Sequence, residues 1–428
     1  MTGLLRILNA NDPETERLLD REFSFPEDAA RTVENIIARV RAEGDAALCT
    51  LTAEYDKVEL SPEGLAVREE EIEAAYGAVS ARFVAAIRLA RDRISGFHSR
   101  KLPATWMDTA PDGTRLGQLI RPLASAGVYV PGGRARYPSS VLMNVVPARV
   151  AGVRRVVMTT PPGPQGGIDP HVLVAAREAG VDEVYRIGGA QAVAALAYGT
   201  KAVPRVDKIV GPGNVYVTLA KRAVFGLVGI DSLAGPSEVL VIADDTADPR
   251  HVAADLLAQA EHDPLARAFL ITTNRALAFR VNEVLEEELT ALGRPETVRR
   301  ALGSSAAVIV PDVAAAVDYA NRFAPEHLEL MVAEPMSALE KVENAGGVFL
   351  GRFSPVPMGD YIAGPNHVLP TGGTARFFSP LGVEDFLKRI NVVGLSPEAF
   401  KELAGPAFLL ASVEGLPAHG RAIKIREK

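Results

Sequence analysis

Apolar residues recur every three to four positions through much of the first hundred residues, as in Glu27 to Glu43 and Glu69 to Ser95. That spacing lines them up on one face of a helix. Residues from about 11 to 105 are therefore expected to form a helical N-terminal layer, rich in Glu, Arg and Ala. From about Ser125 the pattern changes to short β-branched runs alternating with helical stretches: Val153–Thr160, His171–Gly180, Glu183–Ile187, Ala190–Gly199, Lys208–Gly211 and Val217–Phe225. The stretch Ala234-Gly235-Pro236-Ser237 interrupts it. A second series follows: Glu238–Ala243, Arg250–Glu261, Ala268–Thr273, Leu277–Leu292, Ala306–Val310, Val313–Phe323, Leu328–Ala333 and Gly347–Leu350. Strands that alternate with helices build parallel sheets, because parallel neighbours need a crossover connection. Two α/β units are expected, followed by a Gly- and Pro-dense segment from Ser354 to Gly373 and a helix-containing tail that packs on a neighbour.

Composition narrows the class. The 428 residues are 48% hydrophobic and 23% charged, enough for two or three packed cores. A net charge of −7, with the Arg pairs at 154–155 and 299–300 isolated, argues against a nucleic-acid surface, which needs clustered cations. The N-terminus soon runs into Asp12, Glu14 and Glu16, unlike a secretory or transit peptide, and no run of about eighteen apolar residues occurs. The single cysteine, Cys49, fits a reducing cytoplasm.

Chemistry is sought on the loops that punctuate such a scaffold. In Asp255 to Pro264, Gln259 and His262 are three apart and share a helix face just before a proline stop; they could grip a metal or substrate, or His262 could simply complement a helix C-terminus. Ala324-Pro325-Glu326-His327 ends a helix and delivers an acid and an imidazole at the start of a strand. Adjacent residues of an extended chain face opposite ways, so a shared pocket there would require a turn. Gly359 to Thr371 holds Asp360, Asn366 and His367 in a loop stiffened by Gly and Pro, either a site or a rigid interdomain turn. Glu414 to Gly420, with Glu414 and His419, is too broken by Gly and Pro to be helical, and a frayed tail is the plain alternative. These segments hold four of the seven histidines. His262, Asp360 and His419 with the weaker amide of Gln259 suit a divalent metal of the zinc type. Gly211-Pro212-Gly213-Asn214-Val215-Tyr216 lies between a strand and a helix and favours backbone approach to a pyrophosphate, although Tyr216 stands where a third glycine belongs. Gly188-Gly189-Ala190-Gln191 is a similar strand–turn–helix site that could line the same crevice.

Ile230-Asp231-Ser232-Leu233-Ala234-Gly235-Pro236-Ser237-Glu238, followed by Gln259-Ala260-Glu261-His262, resembles the signature region of the histidinol dehydrogenase family. The resemblance extends through Val128 to Gly133, Gly188 to Ala192, Gly211 to Asn214, Pro325 to Leu328, Gly359 to Tyr361, Gly364 to His367 and Glu414 to His419, nearly the whole chain. It implies an α/β fold of two incomplete Rossmann-like parallel-sheet domains, aldehyde-dehydrogenase-like, with a helical N-terminal region at 1–120, the NAD-side domain at 121–235, the metal and catalytic side at 236–376, and a dimer-swapped tail at 377–428. It also implies a cytoplasmic homodimer with shared active sites. One zinc per subunit would be held by Gln259, His262, Asp360 and His419, the last from the other subunit. NAD would contact Tyr129, Gln191 and Asn214. Substrate would meet Ser237, Gln259, His262, His327, Asp360, His367, Glu414 and His419. Val356 stands where many relatives are expected to carry Glu, so a polar contact is missing there.

The activity implied is oxidation of an alcohol to an acid in two hydride transfers, L-histidinol to L-histidine through histidinal, with His327 as base for the hydroxyl and Glu326 activating water. Cys49 lies in an amphipathic helix with no evident activating partner, so direct attack by water is expected rather than a thiol adduct. Three other chemistries compete: a related dehydrogenase that takes a sulfonated diol to a carboxylate, which would need a basic residue in the pocket; a zinc hydrolase, which would need no NAD; and a two-lobed binding protein.

Overall fold

The computed structural model describes residues 3–19, 26–132 and 136–427. Its strands, in chain order, are β1 (Arg6–Asn9), β2 (Trp106–Thr109), β3 (Arg115–Pro122), β4 (Ser125–Tyr129), β5 (Arg155–Thr160), β6 (Glu183–Arg186), β7 (Lys208–Val210), β8 (Gly229–Ile230), β9 (Glu238–Ala243), β10 (Arg267–Thr272), β11 (Ala306–Ile309), β12 (His327–Met331), β13 (Gly347–Leu350) and β14 (Leu387–Gly394). The chain divides into two compact units, residues 1–100 with 124–386 and residues 101–123 with 387–428.

The first unit contains two parallel sheets. One has the order β6-β5-β4-β7-β8, the other β1-β11-β10-β9-β12-β13. In each, the chain lays a central strand, builds outward on one side, then returns to the other flank of that first strand. The reversal leaves a crevice beside β4 and β7 in the first sheet and beside β9 and β12 in the second, the place where α/β sheets bind ligands at their carboxyl edges. The central strands are buried on both faces, so they read as continuous apolar runs; all six residues of β9 are buried. Two parallel-sheet α/β units are what the alternating pattern predicts, and their Rossmann-like strand orders are what the family resemblance implies.

The region 1–120, expected to be helical, departs from that in three ways: its end forms β2 and β3 of the second unit, and the other two lie nearer its start. β1 adds a parallel edge to the second sheet, Arg6 facing Ala306, and the Asn282 amide holds the backbone N–H and C=O of Leu5 at 2.8 and 3.0 Å. The expected helix from Glu69 to Ser95 is two, Glu69–Gly77 and Ala81–His98, because Ser80 accepts from the Phe83 N–H and starts a new helix. Helices Glu27–Glu43 and Asp45–Tyr55 pack into the core of the first sheet with helices Gly189–Tyr198 and Val215–Val224.

The second unit is an antiparallel sheet, β14-β3-β2, with helices Pro397–Val413 and Pro417–Lys424 packed together. The segment Glu414–Gly420, expected to be non-helical, is a correction: Glu414 caps the first helix, and Pro417 sits at the first position of the second, where its missing N–H is harmless, so His419 is helical. The first of these helices leaves Leu409, Leu410 and Val413 63%, 64% and 78% exposed. Among the described residues no helix is long and apolar enough to cross a membrane.

Candidate active site

The first crevice is formed by backbone. Gly211, just beyond β7, has φ +117°, and a Cβ there would lie 2.1 Å from the Tyr129 carbonyl oxygen, so only glycine lets the ends of β4 and β7 come this close. Its N–H donates to Asp231 Oδ2 at 2.8 Å and its carbonyl accepts from Lys221 Nζ at 3.0 Å. Lys221 and Asp231 are themselves an ion pair, 3% and 5% exposed. Asn214 then accepts from the N–H groups of Tyr216 and Val217, capping helix Val215–Val224.

On the neighbouring turn the Gly189 N–H donates to the Tyr129 hydroxyl at 3.1 Å, and Gln191 is buried two residues further on. Burial pushes the Tyr129 phenol up to about 12, so it stays protonated. Asp56, from the N-terminal layer, also acts on Tyr129, and its own carboxyl is raised to about 6 by burial. Tyr129, Gln191 and Asn214 are thus placed at the carboxyl ends of β4, β6 and β7, where two ten-residue helices begin. A glycine cradle facing helix N-termini fits a dinucleotide pyrophosphate. Gly133, part of the same expected motif, lies outside the described residues.

The second cluster centres on β12. Helix Val313–Phe323 ends at Ala324 in the left-handed conformation, φ 48°, and Pro325 then leads into the strand. Glu326 and His327 both reach the peptide of Glu238 at the start of β9. Glu326 Oε2 accepts from the Glu238 N–H at 2.8 Å, and His327 Nδ1–H donates to the Glu238 carbonyl at 2.9 Å. A single residue of an adjacent strand therefore gathers the acid and the imidazole, 3.6 Å apart. The Nδ1 bond leaves the lone pair on Nε2, which is buried without a protein partner and lies 3.8 Å from Asp360 Oδ1, too far for a direct hydrogen bond.

Burial raises the Glu326 carboxyl to about 7. Burial alone would lower His327, but the carboxylates of Glu326 and Asp360 outweigh it and hold the imidazole up at about 9. Burial would likewise raise Asp360, and His327, His367 and His262 outweigh it, keeping the carboxyl below its ordinary range. His367 Nδ1 donates to the Asp360 carbonyl at 2.8 Å, while its Nε2 is 3.5 Å from Ser140 Oγ. Its imidazole is pushed down by burial. Buried Asn366 locks this loop, its amide donating to the Met143 carbonyl at 2.6 Å.

Gln259 lies in the last turn of helix Pro249–Ala260, buried, with its amide nitrogen unpartnered. His262 follows in an exposed turn, its N–H donating to the Gln259 carbonyl at 3.3 Å. Among the described residues no three His, Cys, Asp or Glu side chains are grouped closely enough to hold a metal ion. Within this unit the donors number three only if Gln259 joins His262 and Asp360. The orphaned Gln259 amide, once turned to present its oxygen, and the Asp360 carboxyl within electrostatic reach of His262 fit a zinc-type ion that takes a further donor from elsewhere. Ser237 lies next to Glu238 at the mouth of β9. Glu414 and His419 are exposed residues of the second unit.

Several polar residues here escape sequence reasoning. Lys221 and Asp231 hold the Gly211 turn, and Glu329, 1% exposed, sits in the middle of β12. The available signal was a charged residue inside an otherwise apolar run.

The chain is similar to known proteins over nearly its whole length. Residues 19–427 match the model of the family described as histidinol dehydrogenase. The chain is 56% identical over 413 residues to a histidinol dehydrogenase of Moorella thermoacetica, covering 96% of each chain. It is 52% identical over 419 residues to one from Geobacter metallireducens, covering 97% of this chain and 96% of that one. A crystal structure of histidinol dehydrogenase from Elizabethkingia anophelis superposes with a TM-score of 0.94 at 35% identity, covering 99% of this chain and 98% of that one.

Proposed function

Because the chain belongs to the histidinol dehydrogenase family, and is an oxidoreductase of histidine biosynthesis on that account, we propose that it takes L-histidinol to L-histidine by way of histidinal, reducing two NAD per turnover, as a zinc-dependent cytoplasmic homodimer with shared sites. The observation that carries this reading is the clasp on Glu238, which holds a buried imidazole and a buried carboxyl 3.6 Å apart. When bound, NAD at Tyr129, Gln191 and Asn214 would accept the electrons, and zinc at Gln259, His262 and Asp360, with His419 from the other subunit, would orient the substrate's amine and imidazole.

His327 takes the hydroxyl proton at Nε2, the nitrogen its tautomer leaves free. Against burial, Glu326 first and Asp360 second hold the imidazole up, so the neutral ring that a base requires is favoured when Glu326 carries its proton and would be favoured further with Asp360 bound to a metal. Glu326, raised to about 7, is poised near the working pH to draw a proton from the water that hydrates histidinal. A thiol adduct is disfavoured, since burial, with Asp45 and Glu63, pushes Cys49 further above its ordinary range. Ser237 and His367, with Glu414 from the other subunit, would complete the substrate's surroundings. The Val356 side chain packs into the apolar core of the second sheet and brings no polar group. The apolar face of helix Pro397–Val413 supports a subunit contact, because Leu409, Leu410 and Val413 would otherwise stay in water.

The test is NADH formed per L-histidinol consumed by the purified protein, with and without a zinc chelator. Two NADH per substrate, lost on chelation and restored by zinc, are expected. One NADH per substrate would refute the second oxidation; turnover indifferent to chelation would refute the metal.

A further inference from the structure

The catalytic scheme makes no use of two buried carboxyls, Asp255 and Glu329, which are 8% and 1% exposed and act on each other at close range, with Glu329 Oε2 buried and facing no protein donor. Two buried carboxyls this close are not both charged at low cost, and a proton held between them would give the orphaned Glu329 Oε2 the partner it lacks. Burial first, and the partner carboxyl second, raise Glu329 well above its ordinary range; burial also raises Asp255. The charges that reach the pair from neighbouring positions are His251 on Asp255 and His327 on Glu329.

The placement of the pair gives it a role. Asp255 lies four residues before Gln259 on helix Pro249–Ala260, hence on the same helix face. Glu329 lies two residues after His327 on β12, hence on the same strand face. The second Glu329 oxygen accepts from the Val356 N–H at 3.0 Å, the first free N–H of the short helix Val356–Met358 that leads into Asp360. With that proton in place, one hydrogen-bonded unit joins the helix bearing Gln259, the strand bearing His327 and the turn bearing Asp360. We infer that Asp255 and Glu329 are positioning residues that hold these three side chains in register for metal and substrate. The inference rests on the assignment of Gln259, His327 and Asp360 proposed above.

Glu329→Gln and Glu329→Leu separate positioning from bulk. Glutamine can accept from Val356 and donate to an ionised Asp255, reproducing the shared hydrogen bond without a titrating proton; leucine can do neither. Supporting groups behind metal ligands typically change affinity or activity about 10–100-fold, so E329L should lose that much in both kcat and zinc affinity by chelator competition, whereas E329Q should stay within about threefold. The wild type at neutral pH should show the infrared carbonyl stretch of a protonated carboxyl, shifted in D2O and absent from E329Q. A folded E329L with wild-type zinc affinity and kcat, an E329Q as impaired as E329L, or no such infrared band would overturn the inference. If E329L does not fold, the infrared band and Asp255→Asn, expected to match E329Q, still decide it. A wild type that binds zinc but leaves histidinol untouched would count against the proposed function alone, because zinc competition and infrared measurements remain readable.

Discussion

The clamp on Gly211 permits a quantitative test of how the dinucleotide crevice is held. Lys221 and Asp231 are 3% and 5% exposed, and between them they bind both the C=O and the N–H of Gly211. Lys221→Met keeps most of the stem's volume but removes the charge, leaving the Asp231 carboxylate buried and uncompensated. Breaking one side of a buried pair costs about 3–5 kcal/mol. In Lys221→Met with Asp231→Asn no buried charge remains, and the Asn oxygen can still accept from Gly211. The double variant should therefore recover most of the loss, to a net cost of about 1–2 kcal/mol, since a neutral replacement of a buried ion pair is often nearly neutral in stability. Equilibrium unfolding in urea of the wild type, both single variants and the double variant completes the cycle. NAD titration should show weaker binding for each single variant, because the Gly211 turn loses its fixed path. A Lys221→Met cost under about 1 kcal/mol, or a double variant less stable than both singles, would refute the clamp.

Three further outcomes follow from the same geometry. His327→Asn removes the base and should lower kcat about 10²–10⁴-fold with zinc retained; a near-normal rate would remove His327 from the mechanism. Cys49→Ser should leave turnover unchanged, and a folded but inactive variant would revive a thiol adduct. Asp56 is held up from its ordinary 3.8 to about 6 by burial, so the folded chain binds that proton more readily than the unfolded chain does. This costs stability above about pH 6 and nothing below about pH 4, a difference of roughly 3 kcal/mol that partial exposure reduces to roughly 1–2. Asp56→Asn should therefore stabilise the NAD-free protein by that amount at pH 7.5 and lose the gain by pH 4 in thermal unfolding; an equal effect at both pH values would contradict the sign.

What the sequence by itself determined is local. The alternation of apolar runs and helical faces was legible because burial imprints a period within each element, and Glu238–Ala243 and Val313–Phe323 coincide with their predicted limits. The Gly211 turn and the Glu326-His327 pair also stood out, since Gly, Pro and adjacent polar residues mark a chain that bends or reacts. The tertiary structure decided the rest. β1 pairs with a strand three hundred residues away, β3 finds β14 across a similar separation while β2 pairs on its other side, and the largely exposed β2 and β14 carry no strong alternation. Glu326 lies in a bend just before β12, as the adjacent pair required, and Glu238 on the adjacent strand draws both side chains. The roles of Asp231, Lys221, Asp255 and Glu329 were hidden for the same reason. A side chain's periodicity is a property of its own segment, whereas the cost of burying its charge depends on which distant segment the strand order sets beside it.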